Sequence, residues 1–90
     1  MSIYNGETMT RQDIIVYGTK WCSDCVRSKR FLDSNQIQYK WVDIEDKPEG
    51  KEYVLKVNNG KRIVPTITFS DGSFLAEPTD TELAIKLAKG

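Results

Sequence analysis

The sequence contains no histidine and only two cysteines, which restricts the metal chemistry open to it. A structural zinc site needs about four ligands, mostly nitrogen and sulfur, so only a dimer that shares its cysteines could complete one. Basic and acidic residues number 13 each, and a net charge of zero predicts no attraction to nucleic acid or to a membrane surface. The chain also has no apolar run approaching the roughly 20 residues of a membrane-spanning helix.

The first residues lack the basic start and the apolar stretch of a secretion signal, so we expect a cytoplasmic protein. In that reducing compartment a persistent structural disulfide is rare. Ninety residues are enough for one hydrophobic core and not for two. Residues 1–12 show no hydrophobic periodicity and are expected to form a mobile tail, which leaves residues 13–90 as the domain.

The two cysteines, Cys22 and Cys25, are three positions apart, which is about one helical turn. An apolar run at 13–17 predicts a buried strand before them, and residues 23–34, which lack proline and glycine, predict a helix after them. Cys22 should therefore lie at a helix N-terminus, where backbone N–H groups and the helix dipole favour the thiolate, the reactive form. Cys25, one turn further in and more shielded, would be placed to resolve a mixed disulfide.

A purely structural disulfide between these two residues would close a very short loop and remove little chain entropy. The spacing therefore favours a redox-active dithiol. The alternative is a binding protein, in which two copies of the chain share a zinc ion or an iron–sulfur cluster through Cys22. Metal analysis and an absorbance spectrum of freshly purified protein would separate these two functions.

The rest of the chain alternates short strands with helices and predicts an α/β fold. Asp71-Gly72 is a hairpin signal, and Thr79-x-x-Glu82 is a capping box that predicts the start of the last helix. The sequence thus predicts a four-stranded mixed sheet flanked by three helices, with the first two strands parallel. The strands are expected at 13–17, 38–43, 65–69 and 73–76, and the helices at 23–34, 48–57 and 80–89.

This order of elements, with Trp21-Cys22-x-x-Cys25 after the first strand and Val64-Pro65-Thr66 before the third, resembles the glutaredoxin branch of the thioredoxin fold. The resemblance covers about residues 13–90 and is nearest to the mycoredoxin and other glutaredoxin-like proteins. It implies a thioredoxin-like (glutaredoxin) fold and a thiol–disulfide oxidoreductase that reduces mixed or protein disulfides. It also implies a monomer with no bound cofactor. Glutathione, mycothiol or a similar small thiol would be the co-substrate, with thioredoxin reductase as the other candidate electron donor.

The resemblance also implies roles for individual positions around the dithiol. Cys22 matches the nucleophile and Cys25 the resolving cysteine of the family. Pro65 matches a proline whose peptide bond is cis and which faces the dithiol. Val64 matches the residue whose backbone pairs with the cysteine of the substrate, and Trp21 is expected to form part of the groove wall.

The remaining positions implied by the resemblance would hold the rest of a small thiol. Lys20 and Arg62 are the candidates for the basic group that binds a carboxylate, and Thr79 and Asp80 match the helix start that contacts the other end. The chain departs from many glutaredoxins at 76–78, where a Gly-Gly pair is replaced and Glu77 adds a negative charge. We therefore expect glutathione to bind more weakly than it does to relatives that have the Gly-Gly pair.

Overall fold

The computed structural model describes residues 14–89, which fold as a four-stranded mixed sheet with three helices. This part of the chain confirms the predicted α/β architecture. The predicted mobile tail at 1–12 lies outside the described residues. The elements, in chain order, are β1 (Ile15–Gly18), α1 (Ser23–Ser34), β2 (Lys40–Asp43), α2 (Pro48–Val57), β3 (Thr66–Thr68), β4 (Phe74–Ala76) and α3 (Asp80–Lys89).

The sheet has the strand order β2-β1-β3-β4. β1 runs parallel to β2, as expected for two strands joined by a helix, and antiparallel to β3. β3 and β4 form the predicted antiparallel hairpin, in which Gly72 takes a φ of 89° in the turn. Because β1 and β2 are parallel neighbours, the segments that follow their carboxyl ends lie at the same edge of the sheet.

Successive residues of β1 point to opposite faces of the sheet, and helices cover both faces. On one face, Val16 is fully buried with Leu32 of α1, Ile67 of β3 and Leu83 of α3 in the main hydrophobic core. On the other face, Tyr17 stacks on Tyr53 of α2, with ring centroids 4.9 Å apart. Burying one fully apolar side chain of this size contributes roughly 1.5–3 kcal/mol, so the core fixes α1 and α3 against the sheet.

All three helices have the predicted bounds, whereas the strands differ from the prediction by one or two residues at their ends. The first strand extends to Gly18, which pairs with Asp43 of β2, and the second begins at 40 instead of 38. The third strand spans 66–68 and the fourth spans 74–76, because Phe69 and Ser73 already belong to the turn, in which the Gly72 N–H donates to the Phe69 carbonyl at 3.0 Å. Within residues 14–89, no helix combines the length and the apolar character needed to cross a membrane.

Candidate active site

Cys22 is the N-cap residue of α1, as its sequence position predicts. Its backbone is extended, with φ −82° and ψ 117°, and its Sγ accepts a hydrogen bond from the Cys25 N–H at 3.2 Å. Its carbonyl already accepts the first helical bond, from the Val26 N–H, at 3.1 Å. An N–H donor at a helix N-terminus stabilises a negative charge on the sulfur, so the geometry suits a thiolate at this position.

Cys25 occupies a very different environment one turn further along α1. Its side chain is fully buried, whereas Cys22 is only half-buried, and both are free thiols. Burial first, and then its hydrogen bond with Cys22, raise the pKa of the Cys25 thiol to about 12. A Cβ on Gly18 of β1 would overlap Cys25 Sγ, so a glycine at this position leaves room for the sulfur. The structure thus pairs a partly exposed sulfur with a shielded one.

The Val64–Pro65 peptide bond is cis, which confirms the prediction made from the resemblance. The Val64 carbonyl lies 3.8 Å from Cys22 Sγ, so the backbone before this proline faces the exposed thiol. Pro65 is buried, and its carbonyl accepts a hydrogen bond from the Glu77 N–H at 2.8 Å. The cis bond therefore places the Val64 backbone beside Cys22 Sγ.

Trp21, which directly precedes Cys22, forms a cluster with Glu45 and Arg62. Trp21 is 65% exposed, and its Nε1–H points between the two carboxylate oxygens of Glu45, each at 3.2 Å. Arg62 Nη2 donates to Glu45 Oε2 at 3.3 Å, and the guanidinium lies 5.6 Å from the centroid of the Trp21 ring. The structure thus brings Trp21 and Arg62 together, and their roles in binding a small thiol stay predictions. Lys20 is exposed in the turn before Trp21.

Thr79 caps the last helix through its side chain. The Glu82 N–H donates to Thr79 Oγ1 at 3.1 Å, and the Thr79 N–H donates to Glu82 Oε1 at 2.8 Å. This is the predicted capping box. Its two reciprocal bonds already use the Thr79 hydroxyl and place a carboxylate at the start of α3, so Thr79 serves first as a helix cap.

Asp80 is bound by Arg27 of α1, which links the dithiol helix to the last helix. Arg27 Nη1 donates to Asp80 Oδ1 at 2.8 Å, while Nη2 donates to the Pro78 carbonyl at 3.2 Å and to Asp24 Oδ1 at 3.4 Å. These side chains are between 38% and 50% exposed. The cluster therefore sits at the surface, on the flank of the site that holds α3.

Sequence reasoning missed the part that Glu45 and Arg27 play at this site. The charged stretch that includes Glu45 suggests only a solvated face. One signal could have found it, since Glu45 and Trp21 follow the carboxyl ends of two strands predicted to be parallel neighbours. No comparable signal exists for Arg27, whose partner Asp80 is 53 residues away.

The described residues contain no group of three or more acidic, cysteine or histidine side chains arranged to hold a metal ion. A metal-binding function would therefore have to draw ligands from outside residues 14–89 or from another molecule, as the shared-cluster alternative does.

Comparison with known proteins identifies relatives of this chain. The family model described as Glutaredoxin matches residues 14–75. A Mycobacterium tuberculosis protein, provisionally named a glutaredoxin, is 45% identical over 76 residues, which is 84% of this chain and 90% of the relative. Mycoredoxin 1 of Corynebacterium glutamicum is 35% identical over 75 residues, covering 83% of this chain and 92% of the relative.

Solved structures have the same fold. The crystal structure of the thioredoxin-like protein BC3987 matches with a TM-score of 0.72 at 26% identity, covering 81% of this chain and 97% of that protein. The glutaredoxin of Archaeoglobus fulgidus matches with a TM-score of 0.69 over 97% of both chains, and at 22% identity this likeness concerns the fold alone. These matches confirm the predicted thioredoxin-like architecture.

Proposed function

Because this chain belongs to the glutaredoxin family, we propose that it is a thiol–disulfide oxidoreductase that reduces mixed disulfides and protein disulfides through Cys22 and Cys25. The observation that carries the proposal is the contrast between the two sulfurs. Cys22 is partly exposed at a helix N-cap, and its sulfur accepts a backbone N–H bond, whereas Cys25 is fully buried behind it. One sulfur is thus suited to attack a substrate and the other to act only afterwards.

In the first step the Cys22 thiolate attacks one sulfur of a disulfide. A bond forms between Cys22 Sγ and that sulfur, the substrate S–S bond breaks, and the other half leaves as a thiolate that takes up a proton. The Val64 backbone opposite Cys22 provides a surface along which the attached group can lie. The product is a mixed disulfide between the protein and one half of the substrate.

In the second step a thiolate attacks one of the two sulfurs of this mixed disulfide. Attack by Cys25 on Cys22 Sγ releases the attached group as a thiol, whereas attack by a small thiol on the sulfur of the attached group releases Cys22 as the thiolate. When Cys25 attacks, it must first lose its proton, and the product is an intramolecular disulfide that two electrons from external thiols later reduce. When a small thiol attacks instead, it leaves with the attached group as a new disulfide and Cys22 is free again. The high pKa of Cys25 favours the second route at neutral pH, because little of this thiol is ionised.

We propose a low-molecular-weight thiol as the electron donor, with glutathione and mycothiol as the candidates. Two contacts near the dithiol support this proposal: Arg62 lies against Trp21, which precedes Cys22, and Arg27 of α1 binds Asp80 at the start of α3. Direct reduction by thioredoxin reductase is the competing route. We also propose that the protein acts as a monomer in the cytoplasm, where thiol reductants keep such a dithiol reduced.

Turnover of a mixed disulfide, measured separately with glutathione, mycothiol and thioredoxin reductase, tests this function. Cys22→Ser should abolish turnover, and the matched variant Cys25→Ser should retain turnover with the small thiol. Efficient turnover with the reductase alone would overturn the small-thiol assignment. Preferential alkylation of Cys25 in the reduced protein near pH 6 would overturn the assignment of the nucleophile. A visible absorbance band with bound iron in fresh protein would favour the cluster-sharing dimer.

A further inference from the structure

The Glu45 carboxylate is bound by Arg62, one of the two residues predicted to bind the carboxylate of a ligand. Two donors converge on it, the Trp21 indole N–H at 3.2 Å and the Arg62 guanidinium at 3.3 Å. Guanidinium and indole groups are donors without acceptor capacity, so together they form a site for an anion. In this protein the anion is supplied by the chain itself.

The backbone holds Glu45 at this position. The Ile44 N–H donates to the Gly18 carbonyl at 3.0 Å, which ties the end of β2 to β1. The Glu45 N–H then donates to Asp43 Oδ1 at 2.9 Å. Glu45 therefore leaves the sheet in a fixed direction beside Trp21, which directly precedes the nucleophilic position Cys22.

A cavity of about 510 Å³ opens next to this cluster, lined by Ile44, Glu45, Pro48, Lys51 and Arg62. Two cations and one carboxylate face it, so Glu45 cancels half of the positive charge that would otherwise attract an anion. A carboxylate that enters must share Arg62 with Glu45 and lie close to a like charge, which costs free energy. A neutral group meets no such penalty.

We propose that Glu45 is a specificity-determining residue that fills the anion site of Trp21 and Arg62. The groove then selects thiols and disulfides that are uncharged at this end, such as amide-terminated thiols or cysteines within a polypeptide, over thiols that end in a carboxylate. This inference rests on the proposed function and adds to it the class of substrate. Because the side chains of Glu45 and Arg62 are 48% and 37% exposed, the discrimination is moderate and sensitive to salt.

Binding of two unreactive ligands tests the inference without any redox step. S-methylglutathione carries a C-terminal carboxylate, and its C-terminal amide differs only in that charge. In Glu45→Gln, whose side-chain oxygen can still accept from Trp21 and Arg62, affinity for the carboxylate form should rise about three- to fivefold, the size of an exposed charge interaction. Affinity for the amide should stay unchanged, and the difference should shrink in high salt. Glu52→Gln, an exposed carboxylate on α2, is the matched control and should change neither.

Three results would overturn the inference. If Glu45→Gln changed the affinity for both ligands equally, Glu45 would only position Trp21. If it changed the affinity for neither ligand, the charge of Glu45 would have no effect on binding. Failure of Glu45→Gln to bind the carboxylate form at all would mean that Trp21 and Arg62 form no anion site. Turnover assays provide an independent readout, in which KM for glutathione should fall in Glu45→Gln while kcat is retained. A protein with the expected binding pattern and no turnover would refute the proposed function and leave this inference intact.

Discussion

Replacing Gly18 with alanine should disturb the buried sulfur of the dithiol while leaving the exposed one in place. A Cβ at this position would overlap Cys25 Sγ and lie 3.0 Å from the ring of Trp41, and these two side chains supply its nearest neighbours. Gly18 does not belong to the glycines with positive φ, so its backbone conformation tolerates a side chain. The effect of the substitution therefore comes from space alone.

The loss of stability in Gly18→Ala depends on how little Cys25 and Trp41 can move. Cys25 is fully buried on α1, and the Trp41 ring is covered by Lys29, whose Nζ is 3.7 Å from the ring centroid. Adding a methyl group to a well-packed interior costs about 1–3 kcal/mol. At roughly 4–8 °C per kcal/mol for a domain of this size, a mid-range cost lowers the unfolding midpoint by about 8–16 °C. A sulfur displaced by about 1 Å also slows the intramolecular step by up to roughly 100-fold.

Denaturant unfolding measures the first effect, and acid-quenched mass spectrometry of the protein mixed disulfide measures the second. Gly18→Ala should accumulate the mixed disulfide on Cys22 because formation is unaffected and resolution by Cys25 is slow. Gly50→Ala is the control, since its Cβ would lie 2.8 Å from Val42 on the opposite face, away from the dithiol. Wild-type stability and resolution in Gly18→Ala would refute the reasoning, and so would equal slowing in Gly50→Ala.

Three further predictions concern other groups. Folding raises the pKa of Cys25 from 9.0 to about 12, so the free energy of unfolding of the reduced protein should fall as the pH rises through this range. In urea unfolding, Cys25→Ala should lose less stability over the same pH range than the wild type does. Glu77 has a φ of 50°, a left-handed conformation that strains any residue with a Cβ, so Glu77→Gly should raise the free energy of unfolding by about 0.5–1 kcal/mol. An unchanged or lower value would show that Glu77 is not strained. Arg27→Gln removes the ion pairs to Asp24 and Asp80 and should lower the free energy of unfolding by about 1 kcal/mol at low salt. A decrease of equal size in 1 M salt would show that charge is not the cause.

Local patterns in the sequence were sufficient to predict the helices and strands and the position of the two cysteines at the start of α1. The bounds of α1 follow from the residues that flank Cys22, and the start of α3 follows from Thr79 and Glu82, because caps and helical periodicity involve neighbours within one turn. The cis bond before Pro65 did not follow from such local rules and was predicted only through the family resemblance.

Only the tertiary structure decided which distant side chains meet around the dithiol. Glu45 reaches Trp21 across 24 residues, and Arg27 reaches Asp80 across 53, because the order of the strands and the packing of α3 bring these segments together. Gly18 likewise has no unusual backbone that a sequence pattern could signal, and the need for it arises only when Cys25 and Trp41 pack against it. Residue type and spacing therefore determine that Cys22 lies at the start of α1, whereas the charges and the space around its sulfur depend on contacts between segments far apart in the chain.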